Sequence, residues 1–145
     1  MKKRAILTIA TISYLSYLQL FVSQNLPVPS AQAEPLINPH VGTLCKAAAA
    51  INFGRNFKIM QLDKVDEQGV AWVHYIRPSD QSRWAVRCRL QGDRVIWMSD
   101  NPDSSGRWRD GPEDEKLTWQ IRNDKLTMKL TYPDGSGDEQ TFRLE

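Results

Sequence analysis

The two cysteines of the chain stand in segments of different hydrophobic period, and that contrast constrains the fold more than any other feature. Val41, Leu44, Cys45, Ala48 and Ile51 recur at the spacing of one helix face, which predicts a helix from Val41 to about Phe53. Asn38-Pro39 supplies a start and Gly54 a stop. From Trp84 the period is two. Gly92-Asp93 is a two-residue turn of the kind hairpins favour, and a hairpin closed there sets Leu90 opposite Val95 and Cys88 opposite Trp97. Trp84, Val86, Cys88, Leu90, Val95 and Trp97 then share one face. With Cys45 on the apolar stripe of a helix and Cys88 on the apolar face of a sheet, a Cys45–Cys88 disulfide pins one onto the other.

Such a bond requires an oxidising compartment, and the N-terminus reads as an export signal. Met1-Lys2-Lys3-Arg4 is followed by the mostly apolar run Ala5 to Val22 and then by Ala31-Gln32-Ala33, the layout of a signal peptide over residues 1–33. An uncleaved anchor is the competing reading, because the run approaches a spanning length, but Thr8, Thr11, Ser13, Ser16 and Gln19 dilute it. The expected location is therefore outside the cytoplasm, periplasmic or secreted. Cleavage after Ala33 leaves 112 of the 145 residues and removes three basic ones, so 16 Lys and Arg face 17 Asp and Glu. A near-neutral chain with mixed charges has no electrostatic footprint for nucleic acid. It has no basic amphipathic helix for a membrane surface either.

The remaining segments complete an α+β domain over residues 41–145, after a Pro-rich lead-in at residues 34–40. A second hairpin, Leu117 to Tyr132 around Asn123-Asp124, pairs Ile121 with Leu126, Trp119 with Met128 and Leu117 with Leu130. A last strand is expected over Gln140 to Leu144, and two more near Phe57 to Val65 and Val70 to Arg77. The total is about seven antiparallel strands in a curved meander under one helix, a sheet able to curl into a half-open barrel. The register of the Val70 to Arg77 strand is open. A four-residue loop after Arg77 sends Trp72, His74 and Ile76 to the face away from the helix, beside Arg83, Arg87 and Arg89; a one-residue slip sends them into the core.

No motif names a reaction. The histidines, His40 and His74, stand in no catalytic pattern, and Glu113-Asp114-Glu115 reads as a solvated run. Asn101, Asp103, Ser105 and Gly106 imitate the start of a calcium loop, but its last position is Pro112 where a bidentate Glu is needed. No zinc spacing, phosphate loop or dinucleotide fingerprint occurs, so neither a metal nor a cofactor is expected, and no catalytic residue is assigned. What stands out is five tryptophans and ten arginines in the expected mature chain. Trp72, Arg87, Arg89, Arg107, Trp108 and Arg109 are the candidate ligand-binding residues, since Trp and Arg are enriched at binding hot spots. The competing reading is structural, with Trp in a small core and Arg stems packed on strand faces. For the loop at residues 99–116 the structural version has Trp108 plugging the core edge while Arg107 and Arg109 pair with the acids that follow. The expected function is an exported, non-enzymatic binding domain whose partner is a protein or glycan of the cell envelope. A small carboxylate-dependent hydrolase and an inhibitor or immunity-type protein are the alternatives.

Overall fold

The computed structural model describes residues 36–144; the expected signal peptide lies outside them. Helix α1 (Val41–Phe53) has the bounds its apolar spacing predicts. Gly54 ends it with a left-handed φ of 59°, and the Gly54 and Arg55 N–H groups close back on the carbonyls of Ile51 and Ala50. The predicted strand from Phe57 is shorter than expected. A single 3₁₀ turn, Phe57–Ile59, comes first, and strand β1 (Gln61–Val65) begins only after Met60.

Seven strands follow one another across an antiparallel sheet: β1, β2 (Ala71–Ile76), β3 (Arg83–Gln91), β4 (Arg94–Asn101), β6 (Lys116–Arg122), β7 (Lys125–Thr131) and β8 (Gly137–Arg143). The sheet curls into a half-barrel with α1 packed on its inner face. A two-residue strand β5 (Ser104–Ser105) lies off this path and pairs with β4. Both hairpin registers agree with the turn chemistry: Cys88 faces Trp97 and Leu90 faces Val95, while Trp119 faces Met128 and Ile121 faces Leu126.

The open register resolves in favour of the four-residue loop. Tyr75 faces Trp84 and Val73 faces Val86, and Arg77 closes the loop by donating its N–H to the Ser82 carbonyl at 2.8 Å. Asp80 determines this turn. Its carboxylate takes the Arg77 guanidinium on one side and the Ser82 N–H and hydroxyl on the other. These contacts, the Arg77 fork foremost, hold the Asp80 carboxyl well below the usual carboxylate range.

The core lies between α1 and the inner face of the sheet. Leu44, Cys45, Val73, Cys88, Leu117, Leu126 and Met128 are all fully buried there, and the Cys45–Cys88 disulfide joins α1 to β3 across it. Phe53 at the end of the helix packs edge-on against Trp97, with ring centroids 5.4 Å apart.

Strand β4 is where the sheet divides. Strand β6 pairs only with its first residues, Arg94 and Val95. Along the rest of that edge runs the segment from Ser104 to Arg109: β5 pairs with Asp100 and Asn101, the Gly106 N–H donates to the Ser99 carbonyl and the Arg109 N–H to the Trp97 carbonyl. The loop therefore acts as an edge strand, satisfying backbone groups that β6 leaves open. Gly106 is required at this approach, because a Cβ there would lie 2.6 Å from the Ser99 nitrogen.

Candidate functional site

Strand alternation divides the candidate residues between two faces. In the observed register Trp72 stands in one row with Lys64 on β1 and Arg87 on β3, all on the face away from the helix. The Lys64 ammonium lies 4.3 Å and the Arg87 guanidinium 5.6 Å from the Trp72 ring centroid, so a half-buried indole is flanked by a cation from each neighbouring strand. Arg87 is fixed in turn by Asp100, at 2.6 Å.

A second row repeats the pattern. Arg89 lies opposite Ile96, its guanidinium 4.6 Å from the centre of the Trp108 ring, and it pairs with Asp110 at 2.8 Å. Ile96 is fully buried although it stands outside the core cluster, as does Ala85, so this outer face is itself packed. Trp72, Arg87, Arg89 and Trp108 are thus brought together on one surface. Lys64 belongs with them and escaped the sequence reading, because the bulge between Leu62 and Lys64 shifts its register.

Arg107 and Arg109 are not part of that surface. The Arg109 N–H bonds to the Trp97 carbonyl and its guanidinium lies 5.3 Å from the Trp97 ring, so Arg109 flanks the tryptophan of the core side. Both arginines converge on Asp114, a charged residue only 4% exposed. Arg107 grips it with two bonds, at 2.7 and 2.6 Å; Arg109 adds one at 3.3 Å and the Gly111 N–H one at 2.9 Å. Glu115 accepts the Trp97 indole N–H at 2.8 Å. Asp114 and Glu115 are therefore the clasp of the loop rather than part of a solvated run, whereas Glu113 stays exposed. Trp108 does not plug the core edge: it lies half-buried against Arg89 on the outer side, because alternation turns it away from its two arginine neighbours.

The paired bonds from Arg107 hold the Asp114 carboxyl well below the usual carboxylate range, against the opposing effect of burial. Asp114→Asn should accordingly lower stability and loosen the loop. A carboxylate depressed in the folded state stabilises above its unfolded pKa, about 3.9, and that contribution fades as pH falls below it. Denaturant titrations of both proteins should show the wild-type advantage in full at pH 6 and shrinking below about pH 4. A pH-independent difference would mean that the Arg107 fork is not what Asp114 contributes.

One feature resembles catalytic machinery. His74 Nδ1 lies 2.7 Å from Asp63, whose other oxygen accepts from Arg83 at 3.2 Å. A triad needs a hydroxyl or thiol at the second ring nitrogen. Among the described residues no hydroxyl is hydrogen-bonded to His74, and both cysteines are in the disulfide. Among the same residues no three His, Cys, Asp or Glu side chains converge as a metal ion requires. No protein-family model matches the chain, and no curated protein or solved structure shows significant similarity to it.

Proposed function

We propose that this chain is an exported, non-enzymatic binding domain whose outer sheet face docks a protein of the cell envelope. The observation that carries this reading is the pair of rows Lys64–Trp72–Arg87 and Arg89–Trp108 on the face opposite the helix, in which both indoles are half-buried beneath cations. Large aromatic and Arg side chains held in place by their neighbours lose little freedom on binding, and they are the residue types that dominate interface energetics. Asp100 and Asp110 hold Arg87 and Arg89 in position and balance their charge. A mixed surface of that kind suits a protein partner better than a glycan, which stacks on bare aromatic faces, whereas here cations sit over both rings.

The disulfide and the N-terminal export pattern support a location in an oxidising compartment. A carboxylate-based hydrolase is the weaker reading, because Asp63, Asp100, Asp110 and Asp114 are each engaged by an arginine. An inhibitor-type role would use the same outer face, with the partner an enzyme.

Site-specific photo-crosslinking in the producing cells tests the reading. A photoreactive residue in place of Arg83, exposed on the outer face, should yield a discrete conjugate with one envelope protein; the same residue in place of Lys125, at the far hairpin, should yield none. Conjugates from Lys125 alone, or glycan-only adducts from Arg83, would overturn it.

A further inference from the structure

Away from the outer face, an open groove of about 810 Å³ lies where α1, the 3₁₀ turn after it and β8 meet. Four cations line it: Lys46 from the helix, Arg55 and Lys58 from the turn that follows, and Arg143 from β8. None of its lining residues is acidic. Lys46, Arg55 and Lys58 make no ion pair among the described residues, and Arg143 has only a 3.6 Å contact with Asp124. This contrasts with the outer face, where Arg83, Arg87 and Arg89 each have a carboxylate within 3.2 Å. Gathering like charges around a concavity without counter-charges costs free energy unless something anionic enters.

The groove also has an aromatic floor. Phe57 and Phe142 pack at 4.9 Å between centroids with planes 36° apart, and both remain half-exposed at the edge of the core. Lys46 reaches over the Phe57 ring at 4.9 Å, which holds its ammonium above the floor.

We propose that this groove binds a small organic polyanion, two or more oxyanion groups carried on a planar or apolar body. The body rests on Phe142 and on Phe57, from whose ring the flexible Lys46 stem swings its ammonium aside, and the oxyanions are met by that ammonium, the Lys58 ammonium and the Arg55 and Arg143 guanidinia. The site lies outside the proposed protein-docking face and does not depend on it. A structural role is the rival account: Arg55 and Lys58 follow the C-terminus of α1, where cations complement the helix dipole.

Calorimetry and amide chemical-shift mapping on the protein without its leader decide between them, with pyrene tetrasulfonate as the planar polyanion. Inorganic tripolyphosphate serves as the anion without a ring, and pyrenylmethylammonium as the ring without an anion. Saturable binding of the tetrasulfonate should perturb Lys46, Arg55 to Lys58 and Gln140 to Arg143, and weaken as salt is raised. Tripolyphosphate should bind more weakly and the ammonium not at all. Lys46→Gln/Lys58→Gln should bind the tetrasulfonate at least about tenfold more weakly while unfolding at the wild-type denaturant midpoint. Arg83→Gln/Arg87→Gln on the outer face should bind it as wild type does. Absence of binding, equal affinity in the two double variants, or a lowered midpoint in Lys46→Gln/Lys58→Gln without any change in binding would overturn the proposal in favour of the structural role.

Discussion

Replacing Cys45 and Cys88 together by alanine is expected to lower the stability of the domain by about 2–5 kcal/mol. The bond closes a loop with a sequence separation of 43 residues, for which loop closure alone corresponds to about 4 kcal/mol if the chain-entropy account holds. Burial of Val41, Leu44 and Ile51 also holds the helix, so the double variant should remain folded with its midpoint lowered. The N-cap residue, His40, makes no side-chain capping bond, and Ala47 to Ala50 bury small side chains against the sheet. Urea titration of the oxidised wild type against the double variant measures the loss as a lower midpoint. The helical far-ultraviolet signal of the variant should fade before its sheet signal, since the disulfide is the covalent link between the two. An unchanged midpoint would show that helix packing alone suffices.

Trp97→Ala should cost a comparable amount, about 3–5 kcal/mol, through the cavity left by a buried indole. Trp97 is 9% exposed and joins three parts of the molecule. Its ring meets Phe53 of α1, its indole N–H donates to Glu115 at the end of the loop, and its carbonyl accepts the Arg109 N–H. Loss of the indole should therefore loosen the clasp as well as the core. Hydrogen exchange at Arg109 and Asp114 should accelerate in Trp97→Ala beyond what the change in global stability explains. Trp97→Phe keeps a ring against Phe53 and loses chiefly the bond to Glu115, at about 1 kcal/mol. Equal costs for the two variants would mean that the hydrogen bond, not the packing, is what Trp97 contributes.

The elements legible in the sequence were those whose partner is close along the chain. The Trp84–Met98 and Leu117–Tyr132 segments carry both strands and the turn that joins them, so alternation and turn chemistry together determined which side chains face one another. The helix and the disulfide followed from the contrast of periods around Cys45 and Cys88. The register of β2 was open because it depends on Asp80, whose bonds to Arg77 and Ser82 need the loop already folded. Lys64 was lost to a bulge. The loop was legible in part: strand alternation sets Trp108 against its two arginine neighbours, but the side each takes depends on how the segment aligns with the free edge of β4. That edge exists because β6 pairs with only two residues of β4, a long-range fact with no local signature. The groove over Phe57 and Phe142 was invisible for the same reason, since it joins the helix and the turn after it to the last strand.

In the proposed function the two faces of one sheet do different work: the helix face and the loop clasp maintain the fold, and the outer face is the one offered to a partner. A single double variant, Trp72→Ala/Trp108→Ala, tests this most directly, because neither indole belongs to the core cluster. Its denaturant midpoint and its photo-crosslinking yield from Arg83 should be measured on the same preparation. The predicted result is a stability loss below about 2 kcal/mol, the range for partly exposed side chains rather than the 3–5 kcal/mol of a buried Trp, together with loss of the envelope-protein conjugate. A large drop in stability with the crosslinking yield of the surviving folded fraction unchanged would contradict the account, making both tryptophans structural and the outer face no binding site.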